Sequence, residues 1–318
     1  MEEYNFSQEK PELVENDSKS GLSLTFFSMA LFVLAFTLAF GDELSFILFI
    51  LVVLLVHELG HFLTMKLFKY ERVRMLFIPL MGAFVQGSKK VYSQKQSFIV
   101  TAAGPFPGVL VGTVLMYYGV KLHSVWMMEL SGLFLMLNII NLLPLDPLDG
   151  GQLFKLFLRK SHAFFLLIFA FISSILMIGL GWMMDSTVVI VFGFLMGVRV
   201  RAMQRRYQVH QELKSLGVEY VRSYASLSYL DFIAIKTSLM ERTSSLRKYI
   251  EQASEPESSS VIASQVNNVL EVPIQHDASI IFKLMILLFW IASFAAPIFL
   301  FFYLDPSSQD LQWYFDAI

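Results

Sequence analysis

The stretch Leu54-Leu55-Val56-His57-Glu58-Leu59-Gly60-His61-Phe62 sets two imidazoles and a carboxylate inside an otherwise apolar run. On a helix, positions i and i+4 share one face, so His57 and His61 can direct both rings at one ion. Glu58 stands one residue beyond His57, where it reaches a water at that ion rather than the ion itself. This is the His-Glu-x-x-His arrangement of zinc hydrolases. Burying these groups in hydrocarbon costs several kcal/mol unless they are paired or bind metal. The competing reading is a hydrogen-bonded polar cluster that joins helices.

Outward from the motif, residues 44–68 form a run long enough to cross a bilayer, which takes roughly 20 apolar residues. The same ruler gives about seven spans, near 22–40, 44–68, 98–118, 125–143, 164–182, 187–198 and 280–303, the sixth short enough to be a half-span. Composition agrees. Of 318 residues 56% are hydrophobic and 16% charged, with a mean hydropathy of +0.60, above the range of soluble domains. The expected fold is an all-α polytopic membrane protein of about 6–7 transmembrane helices. There is no cysteine, so disulfides are excluded and any metal site must use His, Asp and Glu. A net charge of -2, with no basic face or nucleic-acid motif, argues against a nucleic-acid partner.

Lysine and arginine near span ends stay in the cytosol. With the N-terminus inside, the outer segments are 41–43, 119–124, 183–186 and the tail after Leu304, and of 24 Lys and Arg residues only Lys121 falls in them. The expected organisation is a cytosolic N-terminal tail over 1–20 and a membrane-embedded core over 21–198. A cytosolic helical segment and linker follows over 199–278, then a transmembrane helix over 279–304 and a non-cytosolic tail over 305–318. The N-terminal tail lacks the basic-then-apolar pattern of a cleaved signal peptide. In the segment 199–278, Leu213, Leu216, Val218 and Val221 read as one side of a helix, residues 229–250 read similarly, and 254–260 read as a flexible linker. That segment is an appendage or, alternatively, a docking site for a cytosolic regulator.

A catalytic zinc takes three protein ligands and keeps a position open for water. The best third ligand lies in Asn138-Ile139-Ile140-Asn141-Leu142-Leu143-Pro144-Leu145-Asp146-Pro147-Leu148-Asp149-Gly150-Gly151. Proline ends the fourth span and Asp149 follows in a glycine-terminated turn, on the same cytosolic side as His57 and His61. Asp146 is the competing ligand. His123, His162, His210 and His276 are not expected to bind metal. Trp126, Trp182 and Trp313 sit near predicted outer interfaces, where indoles anchor spans.

Together these two motifs resemble the site-2 protease family of intramembrane metalloproteases, over roughly residues 44–157, about a third of the chain. The resemblance implies one Zn2+ held by His57, His61 and Asp149, with Glu58 as general base and Asn141 holding substrate. Residues 77–85 resemble that family's membrane-associated β-loop, expected near 77–86, with Gly82 and Phe84 as further substrate contacts. Such a loop offers an edge to which an unwound substrate adds as a strand, unless it is only an amphipathic connector. Ala102-Ala103-Gly104-Pro105 resembles the family segment that opens the next helix. Where the family commonly has asparagine four residues after the glycine, this chain has Gly108 beside Pro107. No segment suits an inserted PDZ domain or a CBS pair. The implied activity is hydrolysis of peptide bonds in transmembrane protein substrates, with the lipid bilayer as surroundings. The rival readings are an inactive membrane scaffold of the same fold and an ion-coupled transporter.

Overall fold

The computed structural model describes residues 10–13, 21–40, 44–78, 82–157, 163–183, 185, 187–253 and 257–304. Helices α1 (Gly21–Phe40) and α2 (Leu44–Leu67) lead into an antiparallel hairpin, β1 (Glu71–Ile78) and β2 (Gly82–Ser88). After β3 (Tyr92–Ser93) come α3 (Gln94–Ala102), α4 (Pro105–Leu122), α5 (Val125–Asn141), α6 (Asp149–Phe157), α7 (Ala163–Met183) and α8 (Thr187–Ser215). Then α9 (Tyr229–Arg242), α10 (Ser244–Gln252) and α11 (Glu257–Val269) precede β4 (Ile274–Gln275), which pairs in parallel with β3, and α12 (Ile280–Tyr303).

The chain adopts the all-α polytopic architecture that its composition implies. Among the described residues four helical stretches are long and apolar enough to cross a membrane, Ser45–Leu67, Gln94–Leu122, Phe164–Met183 and Ile280–Tyr303, while Ser23–Leu38 and Val125–Asn141 are shorter apolar helices. The short span expected at 187–198 is the first part of α8, which continues unbroken to Ser215. Helices pack through small residues and buried hydroxyls. Ser131 Oγ donates to Gly112 O across α4 and α5, and Ser174 Oγ donates to Gly193 O across α7 and α8, both at 2.8 Å. Pro105 opens α4, because it lacks an amide proton and cannot continue α3.

The β-loop expected near 77–86 is part of a longer hairpin that begins at Glu71. Along β1, Val73, Met75 and Phe77 alternate into the interior, and Met75 and Phe77 pack with Phe32 of α1 and Leu54 of α2. Helix α1 also covers the outer edge of β1. Thr25 Oγ donates to Met75 O (2.6 Å), and Phe77 N–H donates to Ser28 Oγ (3.1 Å). Residues 79–81 lie outside the described residues.

The segment after residue 199 folds around its own apolar core, with Val209, Leu213, Phe232, Ile235, Ala263 and Val266 buried together. Two expectations are corrected here. Leu216 and Val221 are exposed, because α8 stops at Ser215 and Gly217, at φ +71, turns the chain away. Glu257 to Ser260 are the first turn of α11 rather than a linker, with Ser258 buried; residues 254–256 lie outside the described residues. Part of the N-terminal tail docks on this bundle. Lys10 Nζ donates to the carbonyls of Tyr224 (2.6 Å), Ala225 (3.0 Å) and Leu227 (2.6 Å). The rest of that tail and the tail 305–318, with Trp313, lie outside the described residues.

Candidate metal centre

Helix α2 carries His57, Glu58 and His61, all buried. Their surroundings explain the glycines nearby. A Cβ on Gly60 would meet Ala103 O at 1.9 Å, and one on Gly104 would meet His61 Nε2 at 2.3 Å. The break between α3 and α4 therefore lays bare backbone directly on the motif. Asp149 arrives from the other side as the first residue of α6. It sits in a helix rather than in the expected turn: Gly150 leaves room for Leu142 O, 2.0 Å from where its Cβ would be, so the preceding loop folds onto the helix start.

The three side chains converge. Asp149 Oδ2 lies 3.0 Å from His57 Nε2 and 3.3 Å from His61 Nε2, and the two Nε2 atoms are 3.2 Å apart. The far nitrogens fix what these atoms can be. His61 Nδ1 lies 2.8 Å from Val100 O, a carbonyl that only accepts, so Nδ1 carries the proton. His57 Nδ1 lies 2.7 Å from Asn138 Oδ1, with the same consequence. Both Nε2 atoms then bear lone pairs aimed at each other and at a carboxylate oxygen. With both rings neutral these are three acceptors with no donor among them, an arrangement completed either by a proton on one Nε2 or by a metal cation between them.

A zinc ion suits that donor set: two neutral imidazoles oriented by outer partners, one carboxylate, and room for a fourth ligand. Beside it, Glu58 Oε2 is buried with no hydrogen-bond partner among the described residues, while the Val85 backbone amide reaches the same carboxylate. The cluster opens into a cavity of about 480 Å³.

Gly82, Phe84 and Asn141 all line this cavity, with Leu148 and Phe192. Gly82 holds φ +102, a conformation that favours glycine, where β2 begins. Asp146, the competing ligand, is not in the cluster. Its buried carboxylate faces Lys155 Nζ, Gln152 Nε2 (3.2 Å) and Arg199 (3.7 Å), and its amide donates to Ser173 Oγ. His123, His210 and His276 lie elsewhere, and His162 is outside the described residues. Trp126 and Trp182 are exposed. Sequence reasoning missed Asn138, whose contact with His57 joins positions 81 residues apart and leaves no local signal.

By fold and site the chain is a polytopic membrane protein with a helix-borne cluster that could hold a metal ion. Residues 45–128 match the family model of Peptidase family M50. That stretch contains His57, Glu58 and His61 and ends before Asp149. The zinc metalloprotease MJ0392 of Methanocaldococcus jannaschii is 28% identical over 130 residues, 39% of this chain and 37% of the relative. Stage IV sporulation protein FB of Bacillus subtilis (strain 168) is 31% identical over 120 residues, 37% of this chain and 42% of the relative. The resemblance to the site-2 protease family drawn from the motifs is thus borne out, and the chain spans about two fifths of the length of these curated relatives.

Proposed function

We propose that this chain is an intramembrane zinc metalloprotease that hydrolyses peptide bonds of membrane-spanning proteins near the cytosolic side of the bilayer. The observation that carries the reading is the convergence of three lone-pair donors beside a buried carboxylate with an uncommitted oxygen. His57, His61 and Asp149 would hold the ion, and zinc when bound supplies Lewis-acid polarisation and acidifies water. Glu58 takes the proton of the attacking water onto Oε2 and returns it to the leaving amine. Among the described residues nothing else claims that oxygen, so no hydrogen bond to them must break first.

The hairpin supports strand addition as the way substrate is held. Met75 and Phe77 turn their carbonyl and amide toward α1. In an antiparallel ladder their partners, Val85 and Ala83, then turn theirs away from β1, onto the other edge of β2, where the Val85 amide meets Glu58. Ala83 and Val85 line the cavity, so an extended segment added there runs past Glu58. A substrate helix must unwind first, since its carbonyls are tied up in helical hydrogen bonds. Asn141 adds a carboxamide to the same wall.

His61 is six residues from the end of α2, about 9 Å along the axis, so water need travel only a short way from that end. The lysine and arginine distribution supports an N-terminus, and this end of α2, in the cytosol, with the segment 199–278 on the same side. A bacterial-type inner membrane is the setting we infer. In the test, Glu58→Gln keeps about one zinc per chain while cleavage of co-reconstituted single-span proteins falls at least about hundredfold. A Glu58→Gln protein that cuts as well as wild type overturns the general-base assignment.

A further inference from the structure

We propose that Asn138 is a positioning residue for the metal centre, orienting His57, and that Gly108 is the clearance that admits it. The inference rests on the zinc reading above and concerns the strength and geometry of binding rather than the chemistry of cleavage.

Asn138 is wholly buried in α5. Its Nδ2 donates to Phe134 O, one turn back on the same helix, at 2.7 Å. That bond fixes which end of the amide faces away, and the Oδ1 that remains lies 2.7 Å from His57 Nδ1. An amide oxygen only accepts, so it selects the His57 tautomer whose Nε2 lone pair faces Asp149 and His61. The second histidine is oriented by Val100 O, a backbone group that side-chain exchange leaves in place. Asn138 is therefore the orienting partner that sequence can change.

Helix α4 makes the space. A Cβ on Gly108 would lie 2.2 Å from Asn138 Nδ2, 2.3 Å from Cγ and 2.4 Å from Oδ1. All three amide atoms occupy the volume that any side chain at position 108 would claim. The amide is anchored on its own helix and wedged against bare backbone of the next, so it cannot rotate without losing a bond. Glycine at 108 and asparagine at 138 thus form one device, built across two helices that share no metal ligand.

Outer partners of metal-bound histidines are worth about 10–100-fold in affinity. The experiment measures zinc affinity of the full chain in detergent by chelator competition, together with the rise in melting temperature that added zinc produces. Asn138→Leu keeps the volume but offers no acceptor; its affinity should fall about 10–100-fold and the zinc-dependent rise should shrink, with the metal-free melting temperature little changed. Asn138→Asp keeps an oxygen for His57 and should recover most of that loss. Gly108→Ala alters no polar group, yet should weaken zinc in the same way by displacing the amide, and it carries the test if Asn138→Leu does not fold. Zinc bound as tightly by Asn138→Leu and Gly108→Ala as by wild type overturns the proposal and leaves the metal centre standing. A wild-type chain that binds no zinc overturns the metal reading itself.

Discussion

Two buried histidine settings in this molecule differ, and the difference bears on the proposed function. In the bundle beyond α8, His210 Nε2 lies 2.8 Å from Val269 O, Nδ1 lies 3.5 Å from a Glu271 oxygen, and the ring stacks on Tyr220 at 4.0 Å. Nε2 has a protein acceptor, and Nδ1 faces a single carboxylate that is itself open to water. In the membrane core, His57 and His61 are satisfied only on their Nδ1 sides, and their Nε2 atoms converge on Asp149 with no donor. Interiors normally complete their polar pairing, since an unpaired buried group costs about 1–3 kcal/mol. In the bundle the one loose nitrogen faces Glu271, whose carboxylate is exposed to water. In the core three ligand-type groups converge at the point where a cavity opens, and the proposed metal would complete that cluster.

The strongest way to break this contrast is to exchange the two aspartates. Asp149→Ala should weaken zinc by more than the roughly 100-fold that outer partners command, because it removes one of the three proposed ligands. Asp146→Ala should leave about one zinc per chain, since Asp146 is spent on Lys155 and Arg199. It should instead lower stability by about 3–5 kcal/mol, because the Lys155 ammonium is left without its main partner. Zinc stoichiometry and thermal unfolding, measured on both variants, separate the two roles. Zinc lost from Asp146→Ala and retained by Asp149→Ala would reverse the assignment.

What could be read from sequence followed the range of the interaction. His57, Glu58 and His61 lie within one helical turn and a half, so their shared face is a local property of a 3.6-residue period. Asp149 is remote, and it came into view through its glycine pair and the resemblance those residues carry. Asn138 meets His57 across two helices, and nothing near either residue announces the pair. The bundle was misread for a different reason. Ser254 to Ser260 are polar, which reads as linker, but Ile262, Ala263, Val266 and Val269 follow at helical spacing and their burial carries the helix back to Glu257. Gly217 was a visible stop signal between Leu213, which is buried, and Leu216, which is not. The hairpin's earlier start at Glu71 was likewise written in the alternation of Val73, Met75 and Phe77.

The next prediction sharpens the contrast by asking whether the two regions are energetically separate. Ile235 is fully buried in the bundle core with Phe232 and Val266. Ile235→Ala should cost the bundle about 2–5 kcal/mol, seen as faster proteolysis of the segment 199–253, while zinc stoichiometry is unchanged. Helix α8 runs through both regions, with Phe192 at the cavity and Leu213 in the bundle core, so the outcome tests whether that rod transmits unfolding. Loss of zinc from Ile235→Ala would show that core and bundle fold as one unit.

The smallest effect concerns pH, and it distinguishes a satisfied histidine from a ligating one. Burial pushes the His210 pKa below its ordinary value, helped by Arg206 and opposed by the Val269 carbonyl and by Glu271. A histidine with a lowered folded pKa binds fewer protons when folded than when unfolded. The bundle is therefore at full stability above the ordinary histidine value, near pH 6.5. Its stability falls as pH drops through that value, and levels off once pH passes below the lowered one. Proteolysis of the bundle should accelerate across that window, and His210→Gln, which cannot titrate, should flatten the dependence. Zinc release from the core depends instead on protons competing for lone pairs, and should follow its own pH curve, unmoved by His210→Gln. A single shared curve, shifted together by that substitution, would mean that the two histidine settings are coupled through α8.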